Sequence, residues 1–354
     1  MSIEIASVTK SFGSHKALKD VSLSIPDGTF FVVLGPSGCG KSTLLRTIAG
    51  LEPIDSGEIA LGGETVARDG YHLEPERRKT GVVFQSYALW PHMSVAANVA
   101  FPMETAGLKT ADIKSRTNEH LATVELTAFR DRKPADLSGG QRQRVALARC
   151  LAQGAKTVLM DEPLANLDPH LRGAMEEELA AFHKASGATT LFITHDQREA
   201  MALADQVAVM WDGEILQVAE PDVLYRRPTS RRVAGFIGRS SLVGVEVNHV
   251  EAGYANVTLA AHRIDVDCPN DTRTGSATLM LRPEHLVPSV GGHGLKANVE
   301  RTIYRGGFWE VFVAIEGLTE PLLMTLNRPA APGETLFLDI LRGWILPEQL
   351  AFSS

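Results

Sequence analysis

Residues 35–43, GPSGCGKST, have the composition and spacing of a loop that binds phosphate. In the pattern G-x-x-x-x-G-K-[ST], backbone N–H groups surround the phosphates, Lys41 reaches the outer phosphates and Ser42 ligates Mg²⁺. The candidate nucleotide contacts of this loop are Gly35, Pro36, Ser37, Gly38, Cys39, Gly40, Lys41, Ser42 and Thr43. The apolar run at residues 30–34 predicts a strand before the loop, and the helical spacing up to Gly50 predicts a helix after it. Because the positive end of that helix would face the anion, this context favours phosphate binding over a turn with a solvated lysine.

The composition of the whole chain narrows the classes of function. The chain has 354 residues, which favours two domains over one, and a formal charge of −7, which argues against a general nucleic-acid binder. Its three cysteines are scattered and fit no metal-binding spacing, which indicates a reducing compartment. No apolar run approaches the ~20 residues of a membrane helix, and the start, MSIEIASVTK, does not have the pattern of a signal peptide. If the protein works at a membrane, we therefore expect another chain to span it.

The elements that must position the phosphate-binding loop can be predicted from apolar patterning. The runs TVLMD at residues 157–161 and TTLFITHD at residues 189–196 show little alternation, which is typical of parallel strands buried on both faces. Residues 21–28, VSLSIPDG, alternate before an Asp-Gly pair and predict an antiparallel hairpin at that point. Residues 206–220 predict two strands around another Asp-Gly pair, and residues 110–153 are mostly helical.

The pattern changes near residue 236. Short alternating runs such as VGVEV, YANVTLA, HRIDV and WEVFVAI follow, separated by Gly, Pro, Asn and Asp. Many short strands with turn signals predict a small all-β sandwich or barrel. We therefore expect an α/β domain at residues 1–235 and an all-β domain at residues 236–354.

A second glycine-rich segment, LSGGQRQR, lies at residues 137–144. Ser138 and the N–H groups of Gly139 and Gly140 stand at a predicted helix start, and Gln141 belongs to the same segment. A helix start of this kind is a second candidate anion site. The alternative is a Gly-rich turn that merely precedes a helix.

With this second segment, the sequence resembles the nucleotide-binding subunits of ABC transporters. TVLMDEP resembles the Walker B strand, VVFQSYALWPH the Q-loop, LANLD the D-loop and FITHD the switch-histidine segment. The resemblance covers residues 3–238. It implies an α/β fold with a RecA-like P-loop ATPase core, an antiparallel β subdomain near the N-terminus and a helical subdomain within residues 86–155. It also implies ATP hydrolysis with Mg²⁺ as cofactor.

The resemblance assigns roles to residues at matching positions. Asp161 would help Ser42 to hold Mg²⁺, and Glu162 would be the general base on the attacking water. Adjacent residues at a strand end point in different directions, so one carboxylate can face the metal and the other the water. Gln85 would contact Mg²⁺ and the water, and His195 would hydrogen-bond the γ-phosphate.

Phe12, in TKSFG, matches the aromatic residue that stacks on adenine in this family. Tyrosine is the commonest residue there, and phenylalanine keeps the stacking face while it loses the hydroxyl. The alternative for Phe12 is a core position at the edge of a β-sheet.

The resemblance also implies a homodimer. In the family two nucleotide domains pack head to tail, so that Ser138 of one chain would complete the site that holds Lys41 of the other. Asp168 would lie at the boundary between the subunits. Because this chain has one copy of each motif, we expect two equal sites.

An integral membrane permease is the second partner that the resemblance implies. Gln85 would sense it, and Tyr87, Leu89 and Trp90 are candidate contacts with it. Internal packing within the helical subdomain is the alternative for each of these three side chains. The protein would then be peripheral, on the cytoplasmic face of the inner or plasma membrane.

The C-terminal segment LMLRPEHL, at residues 279–286, resembles the OB-like regulatory (TOBE) domain of importer ATPases. This resemblance implies import, with an extracytoplasmic solute-binding protein as an indirect partner and no nucleic acid. Ferric iron, polyamines, phosphonates and sugars stay open as solutes. The alternatives are an unrelated β-barrel for this domain and, for the chain, a soluble ABC ATPase acting on nucleic acid or ribosomes. A nucleotide-regulated binding protein without turnover would not need Glu162, Gln85 and His195.

Overall fold

The computed structural model describes residues 1–165 and 169–347, and these form two compact units. The first unit ends at Pro221 and the second begins at Asp222, which is earlier than the expected boundary after residue 235. The difference has a physical cause in the second unit. The buried guanidinium of Arg282 donates to the carbonyl oxygens of Tyr225 and Ile237, at 2.5 and 2.6 Å. Because of these hydrogen bonds, the connector packs with the β-rich unit.

An antiparallel sheet of five strands, in the order β2-β1-β4-β5-β6, begins the first unit. Its strands are β1 (Ile3–Phe12), β2 (His15–Ile25), β4 (Ser56–Leu61), β5 (Glu64–Arg68) and β6 (Tyr71–His72). The predicted hairpin after residue 21 is wrong: β2 is a strand, but it pairs with β1 and not with the strand that follows it. Alternation of apolar and polar residues indicates which face of a strand is buried, but it does not indicate which strand pairs with it.

A second sheet of six strands, in the order β11-β10-β3-β9-β8-β7, carries the motifs. Its strands are β3 (Phe30–Leu34), β7 (Thr80–Val83), β8 (Thr157–Asp161), β9 (Thr189–Thr194), β10 (Gln206–Trp211) and β11 (Glu214–Ala219). The predicted parallel strands are confirmed, because β3 pairs in parallel with β9 and β10, and β8 pairs in parallel with β9. Every residue of β3 and β9 is buried. The predicted pair around Asp212 is also confirmed as the antiparallel β10–β11 hairpin.

Helices of the first unit flank this sheet, and three of them form a separate helical layer between β7 and β8. The helices of this unit are α1 (Lys41–Ala49), α2 (Val95–Thr105), α3 (Thr110–Thr123), α4 (Gly139–Ala152), α5 (Pro169–Ser186) and α6 (Gln197–Leu203). Two further helices, α7 (Pro221–Arg226) and α8 (Arg231–Phe236), lie in the connector that precedes the β-strands of the second unit. Val99, Leu121 and Val145 bury the facing sides of α2, α3 and α4 in one apolar cluster. The α/β fold class and its helical part are thus confirmed.

The second unit is all-β after α8. A closed barrel has the order β12-β13-β14-β21-β15, and a five-stranded sheet has the order β16-β20-β17-β18-β19. The strands are β12 (Ser241–Glu251), β13 (Tyr254–Leu259), β14 (His262–Asp267), β15 (Gly275–Leu281), β16 (Leu286–Pro288), β17 (Leu295–Tyr304), β18 (Trp309–Ile315), β19 (Leu322–Leu326), β20 (Thr335–Ile340) and β21 (Trp344–Ile345). Val257, Leu279 and Val313 belong to one core that both sheets share. The predicted all-β domain is confirmed.

Within residues 1–165 and 169–347, none of the helices has both the length and the apolar composition needed to cross a membrane.

Candidate functional site

The phosphate-binding loop joins the buried strand β3 to helix α1, as predicted. Steric contacts explain why two positions of this loop are glycine. A Cβ on Gly35 would lie 2.2 Å from the carbonyl oxygen of Met210, and one on Gly40 would lie 2.3 Å from that of Ala17. Gly40 also has a φ of 106°, a conformation that L side chains rarely adopt. The loop therefore packs so closely against β10 and β2 that only glycine fits.

Lys41 lies at the first residue of α1 and is buried. Its ammonium donates to the carbonyl oxygens of Gly35 and Pro36, at 2.8 and 2.9 Å. The nearby thiol of Cys39 is also buried, and this burial raises its pKa, so the thiol stays protonated at neutral pH. The charge of Lys41 is thus held over the loop, beside the N-terminus of α1, where a phosphate would be stabilised.

Ser42 and Asp161 form the candidate metal site. The Ser42 hydroxyl donates to Oδ1 of Asp161 at 2.9 Å, although 119 positions separate them in the chain. In the described part of the chain, no group of three or more His, Cys, Asp or Glu residues could hold a metal ion. Hydroxyl and carboxylate oxygens fit Mg²⁺, which is usually bound by one or two carboxylates together with substrate phosphates. The residues present therefore fit Mg²⁺ that is bound jointly with a nucleotide.

Glu162 and His195 meet where β8 and β9 end. The amide of Glu162 donates to the carbonyl oxygen of Ile193 at 3.1 Å, so the ends of the two strands lie side by side. His195 Nδ1 lies 3.2 Å from Oε2 of Glu162. The φ of Glu162 is 45°, a strained conformation for this residue type, and its side chain contacts His195 whereas that of Asp161 contacts Ser42. The two adjacent acidic side chains thus have different contacts, as predicted.

A pocket of about 270 Å³ brings several of the predicted nucleotide contacts together, although Gly35, Pro36 and Cys39 are not in its lining. It is lined by Phe12, His15, Ala17, Ser37, Gly38, Gly40, Lys41, Ser42, Thr43 and Glu162. Phe12 is 47% exposed, so it does not occupy the core position that was its alternative. The ammonium of Lys10 lies 5.2 Å from the centre of the Phe12 ring and pairs with Glu52 at 2.9 Å.

Sequence reasoning missed three residues of this pocket region, and their positions follow from strand pairing. His15 is the register partner of Phe12 across the β1–β2 pair. Ala17, on the same strand, places its carbonyl oxygen next to Gly40. Lys10 lies two residues before Phe12 and therefore on the same face of β1. A prediction that β1 pairs with β2 would have placed these residues near Phe12.

Gln85 lies in an exposed turn two residues after β7. One of the three candidate permease contacts after it is wrong, because Tyr87 is buried and its hydroxyl donates to the carbonyl oxygen of Pro163 at 3.4 Å. Burial also raises the pKa of Tyr87. Trp90 is half-buried against Phe101, with ring centres 4.4 Å apart, and Leu89 packs on the helical cluster.

The segment LSGGQRQR starts helix α4, as predicted. Ser138 is the N-cap: its hydroxyl accepts from the amide of Gln141 at 3.3 Å, and Oε1 of Gln141 accepts from the amide of Ser138 at 3.0 Å. This reciprocal arrangement is a capping box. The pocket lining found in the described residues includes no residue of this segment. Asp168 lies outside the described residues.

A glycine-rich loop at a helix start, a serine–aspartate pair and a glutamate–histidine pair at the ends of parallel strands define a P-loop nucleoside triphosphatase. The family model of the ABC transporter matches residues 18–165, and that of the TOBE domain matches residues 279–346. A dimeric structure of the ATP-binding cassette MJ0796, bound to ADP and Pi, is similar, with a TM-score of 0.54 and 31% identity. The similarity covers 62% of this chain and 98% of that chain.

Curated relatives are similar along nearly the whole chain. The sn-glycerol-3-phosphate import ATP-binding protein UgpC 2 of Agrobacterium fabrum is 43% identical, with 96% of this chain and 90% of the relative covered. The spermidine/putrescine import ATP-binding protein PotA of Pseudomonas fluorescens is 45% identical, with 86% of each covered. The maltose/maltodextrin import ATP-binding protein MalK of Yersinia pestis is 41% identical, with 92% and 89% covered. The chain belongs to the ATP-binding proteins of ABC importers, is an ATPase, and has a TOBE domain.

Proposed function

We propose that this chain is the ATP-hydrolysing subunit of an ABC import system and that it couples ATP binding and hydrolysis by a homodimer to solute uptake through a separate permease. The observation that carries the proposal is the arrangement of Lys41, Ser42, Asp161, Glu162 and His195 at one end of the central parallel strands. Each of these residues matches a role that phosphoryl transfer to water requires.

The nucleotide would bind in the pocket next to the phosphate-binding loop. The exposed ring of Phe12 would stack on adenine, and the backbone of residues 35–43 would surround the phosphates. Lys41 would turn from its two carbonyl partners to the outer phosphates, which are stronger acceptors for an ammonium.

Ser42 and Asp161 would hold Mg²⁺, with Gln85 as a further contact. Mg²⁺ supplies charge neutralisation at the β- and γ-phosphates. Ser42 and Asp161 are already 2.9 Å apart, so binding would need little rearrangement of either side chain.

Glu162 would accept the proton of the attacking water, and His195 would hydrogen-bond the γ-phosphate. The two side chains are in contact, at 3.2 Å between Nδ1 and Oε2, the side chain of His195 is 54% exposed, and Glu162 lines the pocket. A base must be within hydrogen-bond reach of the proton it takes, and the contact with His195 would keep Glu162 beside a water that attacks the γ-phosphate.

The segment LSGGQRQR at residues 137–144, hereafter the signature segment, would act in the site of the second chain. Ser138, Gly139, Gly140 and Gln141 begin helix α4 and present its N-terminus, which is suited to an anion, yet they do not line the pocket of their own chain in the described residues. A head-to-tail homodimer would bring this N-terminus to the γ-phosphate bound by the partner, with Asp168 at the boundary. The similarity to a dimeric ATP-binding cassette supports this arrangement.

Import of a small polar solute is the activity that the relatives support. Their names include glycerol 3-phosphate, polyamines and maltose as imported solutes. The solute of this system stays open among these and the ferric iron and phosphonates that the sequence resemblance also implies. The protein would be peripheral on the cytoplasmic face of the membrane, bound to the permease. A solute-binding protein outside the cell membrane would take part without contacting this chain.

The permease surface would include the exposed part of the turn after Gln85. Ser86, Ala88 and His92 are exposed there, whereas Tyr87 faces inward. Arg149 donates to the backbone carbonyl oxygens of Tyr87 and Ala88, at 3.1 and 2.7 Å, which fixes this turn on helix α4. A permease that moves the turn would therefore also move the helix that begins with the signature segment.

The test is capture of membrane proteins from gently solubilised membranes with the tagged full-length chain. We expect a polytopic protein to be recovered with the wild-type chain and with Ala111→Glu, an exposed control on α3. Ala88→Glu should abolish its recovery and leave ATP affinity unchanged. Recovery of ribosomes would contradict the proposed activity. Recovery of the membrane protein by Ala88→Glu at the wild-type level would contradict the proposed permease surface.

A further inference from the structure

A buried threonine–glutamate pair builds the turn that carries His195. Thr194 is the last residue of β9 and is 2% exposed, and Glu199 lies on α6 and is 4% exposed. The Thr194 hydroxyl is 2.5 Å from Oε2 of Glu199 and 2.9 Å from the amide nitrogen of Asp196. Because an amide N–H can only donate, the hydroxyl hydrogen must point to Glu199. The carboxylate thus fixes the direction from which Thr194 accepts the Asp196 amide.

This pair holds the backbone on both sides of His195. The bond from the Asp196 amide to the Thr194 side chain closes a short turn across the histidine. Asp196 is also the N-cap of α6, where it accepts from the amide of Arg198 at 2.8 Å, and it pairs with Arg172 of α5 at 3.3 Å. Burial raises the pKa of Asp196, but hydrogen bonds from Arg198 and the charges of Arg198 and Arg172 outweigh it, so the pKa is lowered.

Glu199 is an expensive residue to bury. Its burial raises its pKa, and the hydrogen bond from Thr194 offsets only part of that effect. An apolar side chain at this position of α6 would fill the same space without the desolvation cost. The hydrogen bond from Thr194 to Glu199 orients Thr194, which is the residue before His195. The imidazole of His195 lies 3.2 Å from Glu162.

We infer that Thr194 and Glu199 are positioning residues for ATP hydrolysis: their hydrogen bond holds the turn in the one conformation that presents His195 to Glu162 and to the γ-phosphate. The inference rests on the role proposed for His195. It concerns residues that do not touch the nucleotide, and they act through the histidine alone.

The first arm of the test separates the effect of the Thr194 hydrogen bond from the effect of side-chain volume. Thr194→Val keeps the shape and removes the hydrogen bond; we expect kcat for ATP to fall about tenfold or more, because small displacements of a catalytic group are costly. ATP affinity should stay within about twofold, because this pair contributes no ground-state contact. Thr194→Ser and Glu199→Gln both keep a hydrogen-bonding partner and should retain most of kcat.

Thr190→Val is the matched control. Thr190 lies on the same strand, is fully buried, and bonds His183 Nδ1 through its hydroxyl at 2.9 Å. We expect this variant to keep the wild-type kcat. An equal loss of kcat in Thr190→Val and Thr194→Val would mean that any lost hydroxyl on β9 weakens the domain, and it would overturn the inference.

The second arm is a double-mutant cycle with His195→Ala. Thr194→Val should cause no further loss of kcat in the His195→Ala background, because both changes remove the same function. A full additional loss there would mean that Thr194 acts independently of the histidine and would overturn the inference. If His195→Ala itself keeps the wild-type kcat, the proposed role of His195 fails, and the inference fails with it. If only Thr194→Val is without effect, the inference fails and the proposed function stands.

Discussion

The Ser42 hydroxyl donates to Oδ1 of Asp161 at 2.9 Å and joins the first turn of α1 to the end of β8. The contact depends on sheet order, because β9 lies between β3 and β8 and holds them in parallel register. The carboxyl ends of these strands therefore share one edge, where the phosphate-binding loop also lies. Such an edge is where ligands bind in open α/β sheets.

Removal of the Asp161 charge should weaken the use of Mg²⁺ more than the binding of ATP. In Asp161→Asn we expect the Mg²⁺ concentration for half-maximal ATPase activity to rise at least about tenfold, since the loss of even an outer-shell partner of a metal site costs about 10–100-fold in affinity. Ser42→Ala should act in the same direction, whereas Asp112→Asn, exposed on α3, should have no effect. A Mg²⁺ titration of ATPase activity measures all three. Unchanged midpoints in both site variants would exclude the serine–aspartate pair as the metal site.

Replacement of Glu162 should separate binding from hydrolysis. Glu162→Gln keeps the contact distance to His195 but cannot accept a proton from water, so we expect kcat to fall about 10²-fold or more while ATP affinity is retained. ATP should then hold two chains together, and sedimentation velocity should show an ATP-dependent dimer. Substantial steady-state turnover in Glu162→Gln would rule out its role as the base.

The dimer of Glu162→Gln also tests the signature segment. Ser138→Arg, added to that variant, places a bulky side chain at the N-terminus of α4, where the capping box now lies. We expect the ATP-dependent dimer to be lost while each chain still binds ATP, because the pocket lining does not include Ser138 in the described residues. Ser115→Arg, exposed on α3, is the control and should keep the dimer. Loss of ATP binding to the monomer would place Ser138 in the site of its own chain instead.

Phe12 should determine how well the base of the nucleotide is held. Its ring is half-exposed, with the Lys10 ammonium 5.2 Å from its centre. Phe12→Ala removes the stacking face and should weaken ATP affinity about tenfold, whereas Phe12→Tyr should keep it, since an aromatic stack contributes about 0.5–1.5 kcal/mol beyond the area it buries. Equilibrium titration with a fluorescent ATP analogue measures this. Tyr71→Ala, another exposed aromatic residue, is the control, and equal effects of Tyr71→Ala and Phe12→Ala would contradict the stacking role.

The parts of the fold that local sequence determines were predicted. Gly40 has a φ of 106°, a conformation of its own backbone that L side chains rarely adopt, so a glycine at this position is a local signal. Strands β8 and β9 are buried on both faces, so their continuous apolar runs identify them. The helix start at Ser138 is visible because a capping box needs a serine and a glutamine three residues apart.

The parts that depend on contacts distant in sequence were not predicted. The partner of β2 could not be read from its alternation, which specifies a face and no neighbour. The burial of Tyr87 depends on Arg149, which holds the turn from a helix 62 positions away. The pair of Thr194 and Glu199 is close in sequence and was missed for a different reason: a hydroxyl and a carboxylate five residues apart have no pattern that marks them as buried.

Arg78 should stabilise the first unit by completing the end of helix α1. Its guanidinium is 2% exposed and donates through Nη1 to the carbonyl oxygens of Thr47 and Ile48, at 2.7 and 3.0 Å. Its Nε donates to that of Leu73 at 2.7 Å. The last carbonyl groups of a helix lack partners within the helix, and a cation there is favourable. Burial lowers the pKa of Arg78 to about 10, so the side chain stays charged at neutral pH.

Arg78→Met keeps the apolar part of the side chain and leaves these carbonyl groups without donors. We expect the free energy of unfolding of the first unit to fall by about 1–3 kcal/mol, the range found when a buried hydrogen-bonding group is left without its partner. Arg78→Lys keeps a charged donor but has no planar guanidinium to reach the carbonyl groups of both α1 and Leu73. We therefore expect it to lower the free energy of unfolding less than Arg78→Met does. Urea unfolding of the full chain measures both variants, with Arg77→Met, exposed one residue earlier, as the control. Arg78 makes the carbonyl contacts and Arg77 is exposed. If Arg77→Met and Arg78→Met lower the urea midpoint of unfolding equally, these contacts contribute no stability.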